Sequence, residues 1–270
     1  MLVFSWAATG GRAQQALEQL PTKDETEALS RPKPGERPAA SDRAGKELGD
    51  ARAKLDHASF LVLGSTRPID AEFEGAEDNF QLGVKAQDPE MTSGLAVAIT
   101  ADGYLLTAGH VVQPYLCVVG RSGGKQCLAA ARVVHAENGL HAGAEFALLK
   151  VDLDQLEPVE WSEAVATGAL YACCREDDPQ FRRIVLAGQA RDDLRGGAKA
   201  KHGRVIATDI PFFHGDSGGG VYDRAGRLVG VVIGTDLPYG STQVSHLVFA
   251  PKPTFVDDLI AKDRAKPAGK

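Results

Sequence analysis

Two short segments hold residues whose combination does chemistry. Gly215-Asp216-Ser217-Gly218-Gly219-Gly220 sets a serine among glycines, and Thr107-Ala108-Gly109-His110 supplies a histidine earlier in the chain. A serine hydroxyl is a weak nucleophile at neutral pH. Acyl transfer from it needs a neighbouring base to take the proton and fixed donors to hold the oxyanion. Gly215, Gly218 and Gly219 lack a Cβ, so the backbone can turn sharply and a carbonyl can approach the N–H groups of Gly215 and Ser217. Those two amides are the candidate oxyanion hole. The plain alternative is a glycine-rich turn and a histidine at a strand end. Against it, GDSGG arises by chance in a chain of this length on the order of once in ten thousand sequences.

The surrounding residues resemble the trypsin/chymotrypsin-type serine proteases, in the style of a bacterial Deg/HtrA protease domain without a PDZ domain. Ser93 to Thr100, then Asp102-Gly103-Tyr104-Leu105-Leu106-Thr107-Ala108-Gly109-His110-Val111-Val112, resembles the strand, turn and strand that deliver that family's histidine. Gly226 to Gly234 resembles the strand after the serine, and Val248-Phe249-Ala250-Pro251 its closing strand. The likeness runs from about Phe60 to Ile260. It implies an all-β fold of two six-stranded antiparallel β-barrels, chymotrypsin-like, with a C-terminal helix. It further implies Ser217 as nucleophile and His110 as base.

The third member departs from the family pattern. Where an aspartate stands in Asp-x-Ala-Leu-Leu, this chain reads Glu145-Phe146-Ala147-Leu148-Leu149. Glu145 would accept the Nδ1–H of His110 and fix its tautomer, if the backbone retreats by about 1.5 Å. Otherwise Glu145 is a solvated residue leading into a strand and the triad is a dyad. Asp152 and Asp154 are the nearest substitutes, beyond the apolar run. By the same resemblance Pro211 occupies the pocket base, six positions before the serine, and Phe213, His214, Ile233 and Gly234 border the substrate. With no carboxylate at that base, the expectation is a small or aliphatic side chain before the scissile bond rather than Lys or Arg.

The rest of the chain must position these groups. With 270 residues, 43% of them hydrophobic, the protein can bury one large core or two modest ones. Period-two or short apolar runs recur from Ser59 to Val248, bounded by Gly, Asp or Pro, with no long helical period. Barrel one is expected at about 58–153 and barrel two at about 165–251. A helix from Thr254 to Asp263 is expected to pack on barrel two through Phe255, Leu259 and Ile260, ahead of a tail at 264–270. The first 57 residues read as a separate segment. Lys23 to Asp50 is charged and proline-rich, an extended linker, and Glu47 to His57 is a short helix with a solvated face. Leu2 to Ala8 is apolar, with small Gly11 and Ala13 as for a leader cleaved after Ala13, but it lacks a basic start. It reads as a truncated signal peptide or as an apolar segment without a role.

Cys117 and Cys127 are symmetric about Ser122, so a three-residue hairpin loop would set them opposite each other for a disulfide. Cys173 and Cys174 are expected to point to opposite faces of one strand. His135, His141 and His202 read as surface residues, and His246 as a structural histidine within reach of the pocket. The formal net charge of −6 and the lack of a basic-aromatic cluster argue against nucleic acid. No 18-residue apolar run suggests a membrane span. No Arg-Ile-Val-Gly-Gly junction precedes Ser93, so Asp216 is expected to make local contacts and the fold to need no N-terminal trimming. The expected function is serine endopeptidase through a Ser-His-Glu triad and an acyl-enzyme, without cofactor or metal, acting on protein or peptide in the periplasm or outside the cell. The alternative is an inactive relative that binds peptides or a partner protein.

Overall fold

A computed structural model describes residues 44, 46–74, 81–84, 90–139, 144–162, 169–175, 183–191, 199–200, 202–236 and 245–266. Helix α1 (Ala51–Ala58) leads into strand β1 (Ser59–Ser65), and β2 (Ala71–Glu74) and β3 (Gln81–Val84) form a separate two-stranded hairpin. β4 (Thr92–Ala98), β5 (Tyr104–Thr107), β6 (Tyr115–Ser122), β7 (Lys125–Gly139) and β8 (Ala144–Val151) then join β1 in a closed six-stranded antiparallel barrel. Closure comes from β1, which pairs with β4 on one side and β6 on the other.

The second barrel follows from β9 (Ala169–Arg175), β10 (Arg183–Arg191), β11 (Lys199–Ala200), β12 (Gly203–Thr208), β13 (Gly220–Tyr222), β14 (Leu228–Asp236) and β15 (Ser245–Pro251). Its order is β10-β9-β13-β14-β15-β12, and β12 returns to β10 through Ala190 opposite Thr208. The two-residue β11 only extends the β12 edge. The described residues thus form the chymotrypsin-like fold: two closed six-stranded antiparallel barrels and a C-terminal helix, α2 (Pro253–Arg264). Closure leaves neither sheet with an open edge, which is how short apolar strands avoid pairing with other chains.

Several sequence expectations change here. The β6–β7 turn has two residues, Gly123 and Gly124, both at positive φ (56° and 77°), with Ser122 opposite Lys125. Two positive angles make this the tight hairpin turn that matches strand twist. The register therefore sets Cys117 opposite Ala130 and Cys127 opposite Gly120, so the expected disulfide does not form and both are free thiols. Burial pushes the Cys117 thiol up to about 11. Cys173 and Cys174 do alternate: one packs in the core that spans both barrels, the other inside barrel two.

Helix α1 is not a solvated appendage. Leu55 and Ala58 are fully buried, and Ala44 and Leu48 upstream of it join the same core, ahead of the expected start at residue 58. The Tyr171 hydroxyl of β9 donates to Glu47 Oε2 at 2.9 Å. Burying one such leucine side chain contributes about 1.5–3 kcal/mol.

The C-terminal helix also sits elsewhere than expected. Pro253 opens it, where a missing N–H costs nothing, and Lys262 and Arg264 close it against the negative end of the helix dipole. It docks mainly on barrel one. Phe255 meets His135 of β7 (5.8 Å between ring centroids) and Phe146 of β8 (6.2 Å), while His202 of the β11–β12 turn stacks on its other side at 3.8 Å. His135 and His202 both approach Glu137 Oε1, at 3.0 and 3.4 Å. These two histidines are therefore seam residues, not surface ones; His141 lies outside the described residues. The period-3.6 pattern identified the helix but not the barrel it faces, because both barrels offer apolar surface at the seam.

The anchor of α2 is ionic. The Asp263 side chain is 1% exposed and accepts from Tyr104 Oη at 3.0 Å and Arg132 Nη1 at 3.0 Å. The Arg132 hydrogen bond, with that from Tyr104, holds the Asp263 carboxyl down at about 2 against the opposing effect of burial. A carboxyl depressed in the folded state stabilises fully above the ordinary value near 3.8, and that contribution is lost as pH falls toward 2. Replacing Asp263 by Asn should lower unfolding free energy by about 1–3 kcal/mol at neutral pH and flatten the loss of stability between about pH 4 and 2. Urea titrations of both proteins across that range measure it.

Candidate active site

The histidine is delivered by β4 and β5. Thr107, fully buried at the end of β5, donates Oγ1 to Leu95 O at 2.6 Å, tying the two strands where the chain leaves the sheet. A single 3-10 turn, Gly109–Val111, follows and carries His110 outward. Gly109 lies against β7, where a Cβ would stand 2.1 Å from Glu137 O. The turn can only sit this close because residue 109 has no side chain.

Glu145 stands on β8, 2% exposed, and is not the solvated residue of the dyad alternative. Its Oε1 accepts twice, from the His110 backbone N–H at 3.0 Å and from His110 Nδ1 at 2.7 Å. One oxygen thereby holds both the main chain and the ring of the histidine. Facing a carboxylate, Nδ1 carries the proton and Nε2 keeps its lone pair, the tautomer a general base requires. The His110 side chain remains 42% exposed. Glu145 Oε2 is buried and has no hydrogen-bond partner among the described residues.

The serine comes from barrel two. Ser217 O accepts from Leu95 N at 2.7 Å, which fastens the serine loop to β4 across the barrel boundary. Gly218, at φ 85°, comes so near barrel one that a Cβ would lie 2.0 Å from Leu95 O and 2.3 Å from Thr107 Oγ1. Only glycine tolerates both that angle and that approach. The residue after Ser217 therefore packs on the segment that leads to His110. From the other side, Gly218 N donates to Val232 O (2.7 Å) and Val232 N to Gly219 O (2.9 Å), so β14 runs directly behind the loop.

Upstream of the serine, Phe213 to Asp216 is a β-turn closed by Asp216 N donating to Phe213 O at 3.0 Å. Gly215 has φ 95° while His214 is not among the positive-φ residues, which makes the turn type II and inverts the His214–Gly215 peptide relative to a type I turn. Asp216, fully buried, accepts the Phe213 N–H on Oδ2 at 2.8 Å, the local contact expected of it.

The expected substrate contacts divide. Pro211 and His214 are exposed and Phe213 is half-buried, all beside the turn. Ile233 is 3% exposed and packs its side chain into the core, so it offers no side chain to a substrate. Gly234, just past a register shift in the β14–β15 pairing, borders open space. His246 is a residue whose position sequence reasoning left open. It sits on β15 opposite Thr208 and Thr235, and its Nδ1 accepts the Phe212 N–H at 3.1 Å with the two rings edge to face. No local motif signals that contact, because 34 residues separate the partners.

Residues 93–231 match the family model for a trypsin-like peptidase domain, and the chain belongs to that family. No curated protein sequence matches it. Solved structures share the fold at low identity. An HtrA-type protease, AlgW, bound to a tripeptide is 21% identical, with a TM-score of 0.54 over 79% of this chain, which spans 62% of that one. A protease from M. tuberculosis in its active form is 19% identical (TM-score 0.54; 82% of this chain, 87% of that one). The serine endoprotease from Yersinia pestis is 17% identical (TM-score 0.51; 84% and 67%).

Burial pushes His246 down to about 4. The unfolded chain then binds more protons than the folded one between about 6.5 and 4, so stability falls as pH drops through that window and levels off below it. His246→Gln should remove that part of the acid slope, as unfolding curves at pH 7, 5.5 and 4 will show.

Proposed function

We propose that this trypsin-like peptidase family member is a serine endopeptidase. Ser217 attacks the scissile carbonyl while His110 Nε2 takes the hydroxyl proton. Glu145 orients the imidazole and stabilises its protonated form, and the N–H groups of Gly215 and Ser217 hold the oxyanion. His110 then donates its proton to the leaving amine, giving an acyl-enzyme, and activates the water that hydrolyses the ester. The observation that carries the reading is the Glu145 Oε1 contact to His110 Nδ1 at 2.7 Å, on a side chain that is partly exposed. A glutamate buried on β8 and aimed at the histidine has no comparable role in packing.

The turn supports the oxyanion assignment. Its inverted peptide at Gly215 is held by Asp216, whose carboxylate is engaged within its own loop. The reading includes activity without N-terminal trimming for that reason. Peptide or protein is the substrate, and a periplasmic or extracellular setting is the expected location. That location now lacks the support of a Cys117–Cys127 disulfide. Among the described residues no helix is long and apolar enough to cross a membrane.

Labelling with a fluorophosphonate tests the nucleophile. Wild-type protein should be labelled and Ser217→Ala should not, with both equally folded by circular dichroism. Absence of labelling in folded wild type would instead indicate a peptide-binding relative without turnover. Glu145→Gln should lower kcat on a peptide substrate by about 10⁴-fold, the size of effect known for loss of the orienting carboxylate in such triads. Unchanged kcat would remove Glu145 from the mechanism.

A further inference from the structure

The 3-10 turn that carries His110 is too short to hold itself. Its two internal hydrogen bonds are long, Val111 N to Ala108 O at 3.3 Å and Val112 N to Gly109 O at 3.2 Å. A single turn of this kind has little stability without outside partners. On one side of the histidine Glu145 supplies the partner, taking the His110 N–H at 3.0 Å. On the other side the chain leaves the turn through Val111, whose carbonyl lies past the turn's own bonds. Its donor is the Thr92 hydroxyl at the start of β4, at 3.1 Å. The same hydroxyl stands 3.5 Å from Gly64 O, so the Val111 contact is the closer of the two.

Room for this contact is built into β1. Gly64 is the register partner of Thr92, and a Cβ there would lie 2.5 Å from Thr92 Oγ1 and 2.8 Å from Val111 O. Any side chain at residue 64 would crowd both donor and acceptor. Further along β4, Gly94 lies against the Val111 side chain and Ser217 O, 2.8 and 2.7 Å from where its Cβ would stand. The next residue, Leu95, donates its N–H to Ser217 O at 2.7 Å. β4 therefore holds the exit of the histidine turn at Thr92 and the serine loop at Leu95. Three residues of extended chain, about 10 Å, separate the two anchors. Glu145 grips the histidine alone, so it sets the tautomer but not the distance to Ser217.

We propose that Thr92 is a positioning residue of the reaction: its hydroxyl fixes the exit of the His110 turn and so keeps the imidazole within reach of the Ser217 hydroxyl. The assignment rests on the serine endopeptidase reading above and adds to it a group that touches neither substrate nor reacting atoms. Such a group contributes through geometry, so its loss lowers turnover and leaves substrate binding unchanged.

The experiment compares wild type, Thr92→Val and Thr92→Ser on one peptide substrate, with kcat normalised to the concentration of sites that react with a fluorophosphonate. The second-order rate of that labelling is measured as well. Valine keeps the branched shape and the strand preference but removes the donor, whereas serine keeps the donor. Thr92→Val should lose about tenfold in kcat and about as much in labelling rate, the scale of one hydrogen bond, with KM and melting temperature unchanged. Thr92→Ser should recover most of both rates. A structural role alone would lower the melting temperature and the number of reactive sites while leaving kcat per site at the wild-type value, and that result overturns the proposal. So does a Thr92→Ser variant as slow as Thr92→Val. Should Thr92→Val fold poorly, Gly64→Ala decides, because its methyl group crowds the same donor and acceptor; wild-type kcat per site in that variant is a refutation. If wild type neither cleaves peptide nor takes the fluorophosphonate, the endopeptidase reading fails and the positioning role falls with it. An active wild type with an equally active Thr92→Val sinks only the latter.

Discussion

Two backbones approach to within a hydrogen bond only where no side chain stands between them, and the candidate site of this protein hangs on one such approach. Ser217 O accepts from Leu95 N, and Gly218 lies where any Cβ would strike Leu95 O and Thr107 Oγ1. This contact joins the barrels at main-chain level, independent of how the large apolar side chains around it settle. The candidate nucleophile and base arrive on different barrels, each at the end of a short loop. Their separation is consequently set by a few rigid peptide contacts. Phe146 of β8 stacked on Phe249 of β15, with centroids 5.4 Å apart, supplies a broader but less directional seam beneath them.

Glu145 places a comparable demand on one atom. Its Oε1 fixes the histidine main chain and the ring together, so rotation of the imidazole and movement of the 3-10 turn cannot occur separately. The other oxygen is buried with no partner among the described residues, an energetic cost carried within the site. Such a cost is tolerable when the remaining oxygen makes two good contacts.

Much of this was legible in the chain. The serine and histidine motifs are local, with the glycines they need beside them, and the resemblance places β4 and β14 to within two residues, while β15 begins three residues ahead of the expected Val248. What escaped was non-local or turned on a single residue of register. A two-residue instead of three-residue hairpin separated Cys117 from Cys127, because Gly123 and Gly124 both adopt positive φ. Helix α1 reads as polar because Arg52, Lys54 and Asp56 dominate its composition, while Leu55 and Ala58 carry its burial. The hydrogen-bond partner of His246, Phe212, lies in the connection between β12 and β13, and no spacing rule connects them. Ile233, adjacent to Gly234 at the bulge, turns inward although the neighbouring glycine faces open space.

The docking of α2 bears on how the molecule is made. By sequence the helix follows barrel two, yet its carboxylate satisfies Tyr104 and Arg132 of barrel one, 159 and 131 residues earlier. A chain emerging from the ribosome therefore completes the strands of barrel one long before the group that neutralises Arg132 and engages the Tyr104 hydroxyl exists outside the exit tunnel. Until then Phe146 lacks the Phe255 ring that packs against it in the folded protein. The last helix to be made is thus the one whose carboxylate ties the C-terminal end of the chain to the first barrel.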